Sequence, residues 1–223
     1  MYRPCTTRCS LMSFRTWFQE RLATLKQRKP QTFPERVFPR DYSRAAVLLL
    51  FWPGPDDAVE VVFTRRTETV SSHRGQVSFP GGVYHAGDKD MAATALRETQ
   101  EELGIDPDAV TIMGRLDDAY SIASHHVTPV VGWADRAPEM TANTNEVAEV
   151  IIADVRVLLL PEVNTTHTVD FLGKPRTTHA FDWDGGYVWG LTADLMLEFL
   201  NWLKDEPCDR FQLRLQKMDG LTR

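Results

Sequence analysis

A chain of 223 residues, 43% hydrophobic and 25% charged, carries enough apolar material for one domain with a complete core. Its formal charge of −6 argues against a general nucleic-acid binder, which needs a basic face, and no stretch reaches the roughly 18 apolar residues of a membrane span. Three cysteines (Cys5, Cys9 and Cys208) are too few for a disulfide framework, so a reduced, cytoplasmic setting is expected. An anionic substrate remains compatible with the acidic balance wherever metal ions reverse the local sign.

The opening MYRPCTTRCSL has arginine, serine and threonine but no acid before Glu20, a composition loosely like an organelle presequence. The simpler expectation is an upstream extension, with Met12 as the working start. Ser13 is placed to cap a helix whose apolar positions Phe14, Trp17, Phe18, Leu22 and Leu25 repeat at helical spacing. RKPQTFPERVFPRDY, with three prolines, reads as an extended connector. Strands are predicted over Arg44–Trp52 and Ala58–Arg65, joined by the turn-rich PGPDD; Val59, Val61 and Phe63 give the second a half-buried pattern. QVSF (Gln76–Phe79) is a short strand broken by PGG, and an acidic helix follows. AVTIMGRL (Ala109–Leu116), HVTPVVGWA (His126–Ala134) and EVAEVIIAD are further strands, DVRVLLL a short helix, and THTVDFL and THAFDW two more strands. YVWGLTADLMLEFLNWL turns into a closing helix with Leu195, Leu197, Leu200 and Leu203 on its stripe.

These elements predict one α/β sandwich, a mixed sheet with helices on both sides. Residues 1–40 form the leader, helix and connector, 41–206 the main domain and 207–223 a tail.

The acidic helix poses the functional question. In GDKDMAATALRETQEELG, Ala92, Leu96, Thr99 and Leu103 form the core stripe, with Asp88 as N-cap and Gly104 as the stop. Glu98, Glu101 and Glu102 point away from that stripe, and Glu98 and Glu102 repel at i, i+4. Acid runs on helices are usually solvated faces. Here PGG (Pro80, Gly81, Gly82) lets bare backbone approach a ligand just upstream, and carboxylates one turn apart can share hard divalent cations.

Gly82 to Ile105 resembles the signature of the Nudix hydrolases, G-x5-E-x7-R-E-U-x-E-E-x-G-U, where U is aliphatic. Asp88 stands for the first Glu, eight residues rather than seven separate it from Arg97, and Thr99 takes an aliphatic position. VVFTRRTETVSSHRGQVSFPGG (Val61 to Gly82) is similar to a second signature, L-L-T-x-R-S through F-P-G-G, of the coenzyme A pyrophosphatase branch. TPVVG (Thr128–Gly132) and YVWGLTA (Tyr187–Ala193) resemble the same branch.

The resemblance implies a Nudix-type α/β/α sandwich with a catalytic loop-helix-loop. It implies hydrolysis of the coenzyme A pyrophosphate to 3′,5′-ADP and 4′-phosphopantetheine, with Mg²⁺ or Mn²⁺. Glu98 and Glu102 become the main metal carboxylates, Glu101 the third acid and the Gly81 carbonyl a backbone ligand. Arg97 orients the acids. The general base is either Glu98 or a later glutamate, Glu146 ahead of Glu149. Arg65, Arg66 and Arg74 are the candidates for substrate phosphate, with His73 as a possible assistant. Two alternatives stay open: a Nudix hydrolase of another diphosphate (ADP-ribose, NADH), and a non-catalytic nucleotide-binding module. The partner is a small molecule, not nucleic acid or membrane, and a homodimer is the assembly allowed for.

Overall fold

The computed structural model describes residues 12–33, 42–67, 75–121, 125–171 and 174–205. Helix α1 (Phe14–Thr24) begins at the expected cap, with Ser13 accepting from the Thr16 N–H, and a 3₁₀ turn at Leu25–Gln27 extends it. Next come β1 (Ser43–Pro53), β2 (Val59–Arg66), β3 (Val77–Ser78), β4 (Gly81–Val83) and α2 (Met91–Leu103). The chain continues through β5 (Thr111–Arg115), β6 (Ala119–Ser121), β7 (His125–Trp133), β8 (Val147–Asp154) and α3 (Val155–Leu158). It ends with β9 (Asn164–Phe171), β10 (Lys174–Trp183), β11 (Gly186–Trp189) and α4 (Leu191–Lys204).

Strand β1 is the axis. It runs parallel to β7 from Ser43 to Phe51, and residues of the run Ala45–Trp52 alternate between two cores. Ala46, Leu48, Leu50 and Trp52 meet Ala95, Leu103 and Ile105 on the α2 side. Ala45, Leu49 and Phe51 join Phe18 of α1 and Phe199 of α4 on the other. Strand β2 is likewise covered on both faces: Val62 is as buried as Val61, where alternation alone predicted a half-exposed strand. A strand between two layers reads as continuous apolar sequence.

Three elements differ from expectation. PGG does not simply break the strand before it, because Gly81–Val83 pair with β1 as β4. Gly186–Trp189 form β11 before the closing helix begins, completing a small sheet ordered β11-β10-β9. Ala119–Ser121 add the short β6 on β7.

One feature of the sheet creates the site. Strands β1 and β2 pair only from Phe51–Pro53 to Val59–Val61, then part. The gap is filled from both sides, β3 pairing with β2 and β4 with β1, so that Pro80, Gly81 and Gly82 lie between the splayed strands beneath α2.

Helix α1 belongs to the core. Phe18 is fully buried, with ring centroids 5.3 Å from Phe51, 5.9 Å from Phe199 and 6.2 Å from Trp133. Asp57 accepts from the Phe14 N–H (2.6 Å) and Arg15 N–H (3.2 Å), tying the helix start to the β1–β2 turn. Phe18→Ala is therefore expected to lower unfolding stability by about 3–5 kcal/mol, as measured by urea denaturation. A loss below about 1 kcal/mol would make α1 a detachable appendage.

Candidate functional site

Helix α2 is capped by Asp90, whose side chain accepts from the Ala93 N–H at 2.9 Å, not by Asp88 as expected. Asp88 folds back over the first turns instead. It accepts from the His85 N–H, the Thr94 hydroxyl and both Nε and Nη2 of Arg97 at 2.9 and 3.1 Å. These bonds, the Arg97 pair foremost, hold its carboxyl well below the usual carboxylate range. The additional residue before Arg97 accompanies this division of labour: Asp90 caps and Asp88 anchors.

Arg97 is fully committed. Besides Asp88 it donates to the Val83 carbonyl (3.0 Å), and its Nη1 reaches Glu98 Oε1 (2.9 Å) and Glu101 Oε2 (3.0 Å). It thus gathers two of the three glutamates. Glu101 is exposed, with 54% of its side chain open to solvent, whereas Glu98 keeps only 14%. Burial pushes the Glu98 carboxyl up, against the pull of Arg97. Gly82 is what leaves room for it: a Cβ there would fall 2.4 Å from the Glu98 carboxylate.

Glu102 departs most from the sequence reading. Amphipathic geometry turned it away from the core stripe, yet it is only 3% exposed. Glu102 lies only about a quarter turn from that stripe, on the flank it shares with the buried Ala95. This flank is covered by β4 and by the 141–146 loop, whose Thr141 and Asn143 N–H groups close on the Leu103 and Glu102 carbonyls. Glu102 accepts from the Gly81 N–H at 3.3 Å through Oε2 and meets Arg66 Nη1 at 3.5 Å through Oε1. Burial dominates and pushes its carboxyl up to about 8; Arg66 and the Gly81 N–H pull down, while Glu98 and Glu146 push further up. Gly81 itself has φ +155°, and a Cβ there would strike the Ala46 carbonyl oxygen at 2.3 Å.

Strand parity sorts the remaining candidates. Val62 and Thr64 precede Arg66 at period two, and Val62 belongs to the core on the α2 side, so Arg66 emerges beside Glu102. Arg65 points the other way and pairs with Glu149 at 2.7 Å on the surface. Beside them the β2–β8 register slips, Arg65 facing Glu149 and Arg66 facing Val147. Such a bulge re-aims side chains. Glu146 stands just before β8, its carboxylate taking a bond from Asn143 Nδ2 (3.4 Å) and its backbone carbonyl one from the Thr67 N–H. Arg74 and His73 lie outside the described residues. Sequence reasoning missed Asp88 as the Arg97 anchor and Arg66 as the Glu102 partner; the parity of Val62, Thr64 and Arg66 was the available signal for the second.

Among the described residues, no three potential ligand side chains already converge on one point. Arg97 holds Glu98 and Glu101, and Arg66 with the Gly81 N–H holds Glu102. The donor chemistry nevertheless fits a hard dication. The oxygens are carboxylate and backbone carbonyl, and the carboxylates are pushed toward protonation by burial and then by neighbouring acids, Glu101 acting on Glu98 and Glu98 with Glu146 on Glu102, a cost that a bound cation removes.

The profile of the NUDIX domain matches residues 42–176, and the chain belongs to that family. Its large mixed sheet flanked by helices is the Nudix α/β fold. Over 200 residues the chain is 35% identical to Nudix hydrolase 22, chloroplastic, of Arabidopsis thaliana, which covers 85% of this chain and 65% of that protein. It is 32% identical over 196 residues to the same plant's Nudix hydrolase 15, mitochondrial, covering 85% of this chain and 66% of that one. The chain thus spans just under two thirds of these two relatives. The uncharacterized Nudix hydrolase NudL of Photorhabdus laumondii is 34% identical over 154 residues, 68% of this chain and 80% of its own. Among solved structures, a MutT/nudix family protein from Enterococcus faecalis aligns over 97% of this chain and 81% of its own, with 14% identity and a TM-score of 0.49. No helix among the described residues is long and apolar enough to cross a membrane.

Glu102 gives the metal-free protein a defined pH response. Its folded pKa of about 8 lies above the ordinary 4.5, so the stability tied to its protonated form is complete below 4.5 and lost as pH rises through about 8. Glu102→Gln cannot lose a proton. In EDTA its melting temperature is expected to exceed that of wild type above pH 8 and to match it within about a degree near pH 4.5. Equal melting curves above pH 8 contradict the burial of this charge.

Proposed function

We propose that this protein is a Mg²⁺- or Mn²⁺-dependent pyrophosphohydrolase that cuts the diphosphate of coenzyme A or its derivatives, giving 3′,5′-ADP and 4′-phosphopantetheine or its acyl form. One observation carries this reading. The segment Val61–Gly82, which resembles the coenzyme A pyrophosphatase signature, supplies both partners of the buried carboxylate of RETQEELG: Arg66 from its start and the Gly81 N–H from its end. The two resemblances therefore fall in one place.

Glu98, Glu102 and Glu101 would hold the metal with the Gly81 carbonyl. When bound, a divalent cation neutralises the charge that develops on the phosphoryl oxygens and lowers the pKa of an attacking water. The chain's own residues supply the rest. Gly82 leaves the room that the Glu98 carboxylate occupies against β4, and Gly81, whose Cβ would strike Ala46 of β1, lets β4 close on that strand. Arg97, anchored by Asp88 and Val83, fixes the direction of Glu98 and Glu101. Glu146 is assigned as the base that accepts the water proton; its carboxylate is steadied by Asn143 and close enough to Glu102 to raise that group's pKa. The water oxygen bonds to one phosphorus and the bridging oxygen leaves with the other. Of the two described arginines proposed for substrate phosphate, Arg66 stands beside Glu102, and Arg65 serves from the opposite face only by leaving Glu149.

Incubation with coenzyme A, ADP-ribose and NADH in Mg²⁺, with products identified by mass, tests the substrate. Coenzyme A is expected to be cleaved fastest, and faster cleavage of ADP-ribose overturns the assignment. Glu102→Gln is expected to retain its fold by circular dichroism and lose roughly 100-fold or more in kcat. A fully active variant removes Glu102 from the metal set.

A further inference from the structure

The partner of Glu102 is a cation that belongs to the protein. Arg66 Nη1 stands 3.5 Å from Glu102 Oε1, on the carboxylate assigned above to the metal. The same guanidinium has its Nε buried with no hydrogen-bond partner among the described residues. Only 24% of the side chain is exposed, and its backbone is pinned on both sides, the Arg66 N–H donating to the Gln76 carbonyl and the Arg66 carbonyl accepting from the Gly75 N–H. The register slip between β2 and β8 falls at this residue. A buried arginine is costly unless its donors are used. Here one donor makes a long ion pair to a carboxylate also bonded by the Gly81 N–H, and another finds no acceptor among the described residues.

We propose that Arg66 is an exchangeable counter-ion: it holds Glu102 in the metal-free protein, yields that carboxylate to the divalent cation, and turns its released fork onto a phosphate oxygen of the substrate diphosphate. This rests on the metal-dependent hydrolase reading and deepens it. A dication arriving at Glu102 displaces Arg66 from that carboxylate and adds positive charge beside it, so the freed guanidinium is left to pair with a further anion. The diphosphate is that anion, and a guanidinium edge suits it because Nε and an Nη donate in parallel to two oxygens. Arg65 cannot substitute, since its Nε is bonded to Glu149 on the other face of β2. Arg97 cannot either, because all three of its nitrogens are already engaged.

The two halves of the exchange move opposite ways when Arg66 is removed, which separates this role from a merely structural one. Mn²⁺ binding to the substrate-free protein, followed by electron paramagnetic resonance, is expected to tighten at least about threefold in Arg66→Ala, because a neighbouring positive charge has gone. The direction holds whether or not Glu102 carries a proton, since a dication gains about twice what a competing proton gains. For the diphosphate substrate, KM is expected to rise about tenfold or more, the loss of a charge-assisted bond. Arg66→Lys keeps the charge without the fork, so Mn²⁺ affinity should stay within about twofold of wild type while KM still rises. Weaker or unchanged Mn²⁺ binding in a folded Arg66→Ala overturns the counter-ion role, and an unchanged KM overturns the phosphate role. The Mn²⁺ arm uses no substrate. If wild type cleaves no diphosphate, the hydrolase reading fails while the counter-ion exchange is still judged.

Discussion

The site is organised around a carboxylate kept out of water. Glu102 lies on the flank of α2 that faces β4, the strand that enters where β1 and β2 part, and only 3% of it is exposed. Burial of an anion is unfavourable unless compensated. The compensation visible here is incomplete: one long ion pair and one backbone N–H, opposed by two neighbouring glutamates. An incompletely compensated carboxylate is suited to take a stronger cation, and the rest of the local architecture keeps that option available. Gly81 lets β4 close on β1, Gly82 leaves room for the Glu98 carboxylate, and Arg97 restrains the other two acids without reaching Glu102.

The same reasoning explains why two neighbouring arginines do different work. Arg97 makes bonds of about 3 Å to three carboxylates and a carbonyl, and its anchor Asp88 is itself bonded by Thr94 and His85. A group held from so many directions is a fixed part of the scaffold. Among the described residues the Arg66 side chain has one long ion pair and a spare donor, so moving it breaks little. Charge-assisted bonds shorter than 3 Å are substantially stronger than those near 3.5 Å. The chain has thus made the positioning arginine rigid and left the other responsive.

Much of this was legible in sequence, for physical reasons that differ by element. Helix α2 and its stop at Gly104 followed from periodicity and from the left-handed backbone that glycine tolerates there. Strand β1 followed from an apolar run too short for a helix, and the acids from a motif. Three things were hidden. The choice of Asp90 over Asp88 as cap depends on where the loop closes, since both residues have the right chemistry. The pairing of Gly81–Val83 with β1 is a non-local event between short segments that carry no alternation. The burial of Glu102 is hidden because helical periodicity identifies the face that meets the sheet and is silent about what else covers the helix.

Strand parity supplies the last step. Once β2 is known to be covered on both faces, its alternation no longer separates inside from outside; it separates the α2 side from the α1 and α4 side. Val62, Thr64 and Arg66 then form one row and Val61, Phe63 and Arg65 the other. A pair of adjacent arginines, indistinguishable by composition, is divided by the pleat into a residue that faces the buried carboxylate and one that faces Glu149 at the surface. The double arginine of TRRT is therefore not a redundant patch of charge. Its second member is the one the splayed sheet delivers to Glu102, and shifting β2 by a single residue would exchange the two.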